Sequence, residues 1–544
     1  MAQVFLRPKV LNAKAIIGIV LSVLIIILQF NAGFNISRAK PEIQGCDPLG
    51  YSRQARLFRT SKTIPQGLKT DLPENVYQQL KTWADSTPLN SSEWYQMIAP
   101  HCHHFRDTSG LIIDQYPFGT GWLLSFLPEK QSRRWLVIIS LASISIINIY
   151  KIIRENSIYQ QLFRAFNVWV LFKIVEEFWL RSDSLAPSIL IAMISAEIAL
   201  KFAEPNFLRS KKKYIYSLFL GLLLGFSICL RPGNLFFSYA AILCLLLAVA
   251  FQQLRTNEIS RIALIGGLGY LPGVLMICYF NWLNTGSPFH TTYTTIDTSF
   301  ADNFSIIFNN IQRISADKGE VLLFIGFCGL LISLAKLIIL SRNKGHRFIF
   351  RSIIIIFSIA WTSLISFIVL CLFKNIFWSY YLAAQLAFTS TLVCCCSCLV
   401  ATSAQQQSKN HEDRGKANIS TVRLISASLI GLSVLIGIQN LSTTKELTLA
   451  KNPLVSANPS NTMLWGDSAG SYLYWHYGLP TAKILFGSRE AQADVISYLQ
   501  DQGVDQYFMD ENKLISQLSH IKQMQNISPV GEFKDIKIYK LNEE

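Results

Sequence analysis

The chain has 544 residues, in which 49 Lys and Arg stand against 34 Asp and Glu, so the formal net charge is +15. Only 15% of the residues are charged, compared with about 25% in soluble domains, and 51% are hydrophobic. The mean hydropathy is +0.32. This composition excludes a soluble enzyme, a disordered chain and a nucleic-acid-binding domain as the main interpretation.

Apolar stretches long enough to cross a bilayer, which takes about 20 residues, recur through the chain. The second of them is short, and the third contains Lys173, Glu176 and Glu177. The pattern predicts a mainly α-helical, polytopic membrane bundle with about eleven spans. The predicted spans are 14–34, 135–150, 160–180, 185–202, 214–230, 235–251, 262–282, 321–340, 348–373, 376–400 and 424–441.

Basic residues collect in alternate loops between these spans. The loops after the even-numbered spans contain Lys151, Arg154 and residues 211–213, among others, whereas the short loops on the opposite side contain few. The positive-inside rule therefore predicts a cytoplasmic N-terminus and, after an odd number of spans, a C-terminus outside. Much of the +15 charge then sets membrane orientation, and we expect no nucleic-acid partner. Since the chain shows no retention signal, we expect a multi-pass protein of the plasma membrane.

Hydrophilic sequence is confined to two regions on the predicted outer side. The first outer loop, 35–134, belongs to a membrane domain covering 1–441, and the tail covers 442–544. The tail predicts a small α/β domain of about 100 residues, because short apolar strands alternate in it with amphipathic helices. The predicted strands are 463–465, 482–486, 506–509 and 534–541, and the predicted helices are 488–502 and 511–523.

Two carboxylates lie at the predicted outer face, Asp47 after the first span and Asp183 before the fourth. Arg231 lies between spans five and six on the same side. A carboxylate that is partly withdrawn from water has a raised pKa and can act as a base near neutral pH. The alternative for each carboxylate is a solvated loop residue or a helix N-cap, and the residues alone leave this choice open.

Five segments resemble, in the right order, motifs of the GT-C superfamily of polytopic glycosyltransferases, which is related to protein O-mannosyltransferases and aminoarabinose transferases. Residues 47–57 resemble the "DSYGYVSQA" element, and 116–119 resemble "YPPG" with Phe118 replacing the second Pro. Residues 182–186 are similar to "SDxPA", 230–235 to "RPTNL" and 279–289 to "YNxxxxGSPF". The similarity covers roughly residues 15–300.

This resemblance implies inverting transfer of a hexose or pentose from a polyprenyl-phosphate donor to a lipid, glycan or protein acceptor on the non-cytoplasmic face. Asp47 would then be the general base, and Asp183 would orient the acceptor or help to bind a divalent cation such as Mg or Mn, whose presence stays open. The candidates for donor-phosphate binding are Arg53, Arg56, Arg231 and Lys374. The candidates for lining the substrate pocket are Tyr51, Tyr116, Pro117, Gly119, Asn234, Ser287 and Pro288.

The main alternative is a transporter or flippase of lipid-linked sugars, because charges inside spans often mark transport pathways. Against it, Lys173 and Glu177 stand at i,i+4 spacing and can pair on one helix face. Most cysteines lie in predicted spans, where they favour close helix packing. Cys46 and Cys102 both fall in the first outer loop, and whether they form a disulfide stays open.

Overall fold

The structure is a computed structural model. It describes residues 13–38, 46–61, 68–69, 103–106, 111–114, 116–155, 157–202, 205–250, 256–289, 383–392, 461–466, 481–482, 489–510, 513–533 and 536–542, with single positions between 76 and 86 and at 309, 312 and 484. The predicted spans 321–340, 348–373 and 424–441 lie outside the described residues, and only 383–392 of span 376–400 are described.

A helix forms at each of the first seven predicted apolar stretches. These helices are α1 (Ala13–Arg38), α4 (Ser132–Arg154), α5 (Ile158–Phe178), α6 (Leu185–Lys201), α8 (Lys212–Leu230), α9 (Leu235–Ala250) and α10 (Thr256–Thr285). Shorter helices are α2 (Cys46–Ser61), α3 (Phe118–Ser125) and α7 (Pro205–Leu208).

Among the described residues, four helices are long and apolar enough to cross a membrane, namely α1, α4, α8 and α10. The helices α6 and α9 have 17 and 16 residues and are shorter than the usual span. Helix α5 is long enough but contains Arg164, Lys173, Glu176 and Glu177. The fold is therefore that of a helical membrane protein, with four helices that meet these criteria.

The helices pack into one apolar core around α6, which contacts α4, α5, α8 and α9. Most residues of α6 are buried, as expected for a central helix of a bundle. Helix α1 packs on α4 and α5 with one face and leaves the other exposed. Residues 383–392 add a helical segment on which Phe388 stacks against Phe237 of α9 at 6.1 Å between ring centroids.

Helices α8 and α10 approach each other unusually closely. A Cβ atom placed on Gly273 would lie 2.2 Å from the backbone of Gly225, so neither position can carry a side chain without moving a helix. Ser217 Oγ donates to the Ile262 carbonyl at 2.8 Å, and Cys229 Sγ lies 3.3 Å from the Gly273 carbonyl. Cys229 therefore serves as a small interface residue, as predicted from its place in a span.

The first outer loop contributes a small antiparallel sheet. Its strands are β1 (Leu68–Lys69), β2 (His103–Arg106) and β3 (Leu111–Asp114). Strand β3 lies in the middle and pairs with both of the others.

The tail forms a five-stranded sheet. Strands β4 (Thr462–Trp465), β5 (Thr481–Ala482) and β6 (Asp505–Met509) are parallel, and β7 (Ile527–Phe533) and β8 (Ile536–Leu541) continue the sheet in antiparallel pairing. The strand order is β5-β4-β6-β8-β7. The strands predicted at 463–465, 506–509 and 534–541 and the helix α11 (Arg489–Asp501) predicted at 488–502 are confirmed. Most of the strand predicted at 482–486 lies outside the described residues.

One prediction for the tail was wrong, and one strand was not predicted. The helix predicted at 511–523 is only the short α12 (Leu514–Gln517) followed by a 3-10 turn at Lys522–Asn526. Strand β7 was missed, because Pro529 and Gly531 interrupt its apolar pattern where the pairing shifts register at a bulge.

The first outer loop also contributes side chains to the interior of the tail. Three of its residues, Val76, Leu80 and Trp83, are buried in the hydrophobic core of the tail. The loop and the tail therefore share one core.

Candidate functional site

Helix α2 presents Asp47 in its first turn, where a carboxylate interacts favourably with the positive end of the helix dipole. One face of the helix is buried at i, i+3, i+4 and i+7, through Tyr51, Gln54, Ala55 and Phe58. The rings of Tyr51 and Tyr116 lie 4.9 Å apart, and Gln54 Nε2 donates to the Tyr116 carbonyl at 2.6 Å. The packing of α2 against the start of α3 thus sets the position of Asp47.

The start of α3 in turn contacts the end of α8. A Cβ atom on Gly119 would lie 2.6 Å from the Cys229 carbonyl oxygen, so this approach requires glycine. The Thr120 and Tyr51 hydroxyls donate to the Leu230 carbonyl at 3.2 and 3.4 Å. These bonds satisfy a carbonyl at the C-terminus of α8, and they bring the residue that follows, Arg231, next to α2.

The carboxyl of Asp47 is enclosed by protein, although the residue as a whole keeps some exposed surface. Burial raises the pKa of this carboxyl above its ordinary value. The positive charge of Arg231 and hydrogen bonds from the Ser182 and Tyr116 side chains oppose that rise in pKa. The structure therefore brings together Asp47, Tyr116 and Arg231, three of the site residues that the resemblance implies.

The second carboxylate, Asp183, lies in the turn between α5 and α6 and is 0% exposed. Arg133 Nε donates to both of its oxygens, at 2.7 and 2.9 Å. Burial raises the pKa of Asp183, the charge of Asp47 adds to the rise, and the charge and hydrogen bonds of Arg133 oppose it. The two carboxylates are thus close enough to influence each other's ionisation.

Two serine hydroxyls connect Asp47 to Arg231. Ser182 Oγ and Ser184 Oγ lie 2.8 Å apart, and Arg231 Nη1 lies 3.5 Å from Ser184 Oγ. Ser184 is the N-cap residue of α6, but its side chain makes no capping hydrogen bond. The Ser182-Asp183-Ser184 turn therefore serves the buried polar cluster rather than the helix end.

Asn234 supports this cluster from the adjoining helices. Its Nδ2 atom donates to Ser188 Oγ at 2.7 Å and to the Ser227 carbonyl at 2.8 Å, which joins α6 to α8. The buried Asn234 is therefore a structural connector in this arrangement.

The other predicted site residues are distributed as follows. Arg53 is buried on α2 and Arg56 is exposed on the same helix. Pro117 precedes α3 and is buried. Ser287 and Pro288 form the turn after α10, where their oxygens accept from Thr285 and Asn281. Lys374 and Cys102 lie outside the described residues.

Sequence reasoning missed Arg133, the partner of Asp183. It lies in the first turn of α4, two residues before the predicted start of that span, where the hydropathy pattern assigns it to the loop. A basic residue at the predicted outer end of a span runs against the positive-inside rule, and this departure is the signal that could have identified Arg133.

The charges in α5 pair close to the end of the helix. Lys173 Nζ binds Glu176 Oε2 at 2.6 Å, an ion pair at i,i+3 spacing that was not predicted from the sequence. These side chains lie in the last two turns of α5, at the end of the helix that leads into the Asp183 turn. Their position gives no support to a charged pathway through the middle of the membrane.

Mg²⁺ in proteins is usually held by one or two carboxylates together with waters and substrate phosphates. The described residues bring two carboxylates near each other, Asp47 and Asp183, and both oxygens of Asp183 accept from Arg133. No group of three His, Cys, Asp or Glu side chains comes together within the part of the chain that the structure describes. The arrangement is a pair of carboxylates with two arginines beside it.

No protein-family model matches this chain, and no curated protein matches it significantly.

Proposed function

We propose that the protein is a membrane glycosyltransferase of the GT-C type, which moves a sugar from a polyprenyl-phosphate donor to an acceptor on the non-cytoplasmic face. The observation that carries this proposal is the cluster of Asp47, Asp183, Arg133 and Arg231 at one end of an apolar helical bundle, in which Asp183 and Arg231 are buried. Burying charged groups is costly unless they are paired, and a carboxyl whose pKa is shifted by burial and by a specific charge is a candidate for a functional site.

In the proposed reaction Asp47 is the general base. It removes the proton of the acceptor hydroxyl, and the acceptor oxygen attacks the anomeric carbon of the sugar. The bond from that carbon to the phosphate oxygen breaks, and polyprenyl phosphate leaves with the electron pair. Because the attack comes from the side opposite the phosphate, the configuration at the anomeric carbon inverts. The raised pKa of Asp47 suits this task, since a base works best when its pKa approaches the working pH.

Arg231 has two roles in this proposal. Its charge opposes the rise in the pKa of Asp47, and its guanidinium would stabilise the negative charge that develops on the leaving phosphate. Asp183, held by Arg133, would orient the acceptor or help to bind a divalent cation. The lipid tail of the donor would lie along the apolar surfaces of the helices.

The shared core of loop and tail supports the proposed sidedness. Trp83 and Trp465 are buried in the same core, so the first outer loop and the tail lie on the same side of any bilayer that the helices cross. An even number of crossings must then separate them. The ten predicted spans between the loop and the tail meet this requirement, and they put the tail on the side of Asp47.

The test uses purified full-length protein and a panel of polyprenyl-phosphate sugars labelled in the sugar. We expect transfer of label from at least one donor to a glycan, lipid or peptide acceptor, with inverted anomeric configuration in the product. Absence of transfer from every donor, together with movement of the same lipids across the bilayer of reconstituted vesicles, would instead establish a flippase and overturn the proposal.

A further inference from the structure

The tail shares its core with a segment of the first outer loop. Val76, Leu80 and Trp83 stand at i, i+4 and i+7 and are 0, 0 and 1% exposed. They lie in one hydrophobic cluster with Trp465 of β4 and Val495 of α11. Three large apolar side chains of the loop are therefore part of the tail's interior, and the tail holds this loop segment firmly.

One directional contact fixes the position of the loop segment on the tail. Trp83 Nε1 donates to Asp494 Oδ2 of α11 at 2.8 Å. The Trp83 ring is buried, and a buried indole N–H needs an acceptor. Asp494 itself lies at the exposed edge of the core. Apolar packing alone would allow the loop segment to slide along the tail, whereas the bond from Trp83 to Asp494 fixes one position of the segment on α11.

The same core extends to helix α2. Leu57 packs against it from α2, about three helical turns after Asp47. On its other side α2 is bound to α3, since Arg59 Nη2 donates to the Leu124 and Leu127 carbonyls at 2.8 and 2.9 Å. Helix α2 thus lies between the membrane bundle, which it contacts near Asp47, and the core shared by the loop and the tail, which it contacts at Leu57.

We propose that the tail is a positioning element of the buried site, and that Trp83 and Asp494 are its positioning residues. By holding the loop segment and Leu57, the tail fixes the orientation of α2 and keeps Asp47 beside Arg231. The consequence for catalysis rests on the proposed function. The effect of the tail on the orientation of α2 is independent of that function.

The test measures backbone hydrogen exchange of residues 46–61 in the full-length protein. Trp83→Phe keeps an aromatic ring and removes the donor, and Asp494→Leu removes the acceptor, so each should speed exchange in α2 by roughly fivefold, the effect of losing about one hydrogen bond. Asp494→Asn keeps an acceptor oxygen and should restore slow exchange. The double variant Trp83→Phe with Asp494→Leu should equal either single variant, because both remove the same bond.

Asp501→Leu is the matched control, since Asp501 is exposed on the same helix. It should leave exchange in α2 unchanged. If Trp83→Phe and Asp494→Leu speed exchange only in the tail and leave residues 46–61 unchanged, the contact merely stabilises the tail and the proposal is overturned.

Transfer kinetics provide the second readout. Loosening α2 should lower kcat severalfold without changing the donor KM. It should also move the acid limb of the pH profile to lower pH, because reduced burial lowers the pKa of Asp47. A loss of stability alone would lower the amount of active enzyme and leave the pH profile in place. If the wild type transfers no sugar, the exchange results still decide the coupling, so failure of this inference and failure of the proposed function are distinguishable.

Discussion

The two buried carboxylates at the centre of the site are neutralised in different ways. Asp183 accepts two hydrogen bonds from one guanidinium nitrogen of Arg133, which holds it in a fixed ionic pair. Asp47 accepts from the hydroxyls of Ser182 and Tyr116 and interacts with the charge of Arg231. A carboxylate bonded by neutral hydroxyls can exchange its proton with a substrate more readily than one held in a close ion pair. This difference favours Asp47 over Asp183 as the base in the proposed reaction.

Removal of the Arg231 charge should shift the pH dependence of transfer in a defined direction. A base must be ionised, so activity falls as pH falls through the pKa of Asp47, which burial raises above its ordinary value. Arg231 opposes that rise, so Arg231→Gln should raise the pKa further and move the acid limb of kcat/KM to higher pH by about one unit or more. An acid limb at the wild-type position would show that Arg231 does not act on the base.

Asp183→Asn should destabilise the folded protein. The substitution leaves the Arg133 charge uncompensated in a site where its side chain is 13% exposed, and breaking such a pair costs about 3 kcal/mol or more. Glu129→Gln is the control, since Glu129 is 65% exposed and lies 4.0 Å from Arg59, a surface pair worth about 0–1 kcal/mol. Thermal unfolding in detergent measures the loss of stability in each of the two variants. Equal midpoints for the two variants would refute the structural role of the Arg133–Asp183 pair.

Contacts between elements depend on small residues that allow helices to approach. Helix α10 contains two glycines with opposite surroundings: a Cβ atom on Gly273 would meet the backbone of Gly225, whereas a Cβ atom on Gly267 would have no neighbour within 4 Å. Gly273→Ala should separate α8 from α10 and lower the unfolding temperature. Gly267→Ala should be neutral or slightly stabilising, because alanine favours helix by up to about 1 kcal/mol. Thermal unfolding of the two variants measures the difference, and similar effects of both would contradict the observed helix contact.

At the level of elements, the apolar pattern predicted helices and most tail strands, because burial in lipid or in a sheet leaves a strong periodic signal. The pattern failed at β7, where Pro529 and Gly531 break it, and at 511–523, where an amphipathic stretch folds into two short turns. Small residues such as Gly225 and Gly273 set the spacing between two helices. The sequence alone does not show that these two glycines face each other. Their pairing depends on which helices meet in space.

At the scale of the whole molecule, the position of the tail relative to the bilayer follows from its contacts with the first outer loop. Alkaline phosphatase fused after residue 544 and after Glu129 should be active in bacterial cells, since that enzyme works only outside the cytoplasm. Fusion after Glu155, at the opposite end of α4, should be inactive. Different results for the fusions at 129 and 544 would contradict a core shared by loop and tail.

The assembly of the site was only partly predictable from the sequence. Motif order and predicted sidedness assigned Asp47, Asp183, Tyr116 and Arg231 to one end of the bundle, but sidedness does not show which helix ends lie beside each other. The partner Arg133 was not predicted, since hydropathy locates the ends of a span only to within a few residues. The burial of Trp83 in the tail joins segments far apart in the chain, and no local pattern encodes such a contact.

The most direct test of the proposed function compares the wild type, Asp47→Asn and Glu129→Gln in single-turnover transfer from the active polyprenyl-phosphate sugar. The amide introduced by Asp47→Asn keeps the size of the side chain but cannot accept the proton, so the transfer rate should fall by at least about 100-fold while donor binding persists. Glu129→Gln should transfer at the wild-type rate. Transfer by Asp47→Asn at the wild-type rate would contradict the assignment of Asp47 as the base.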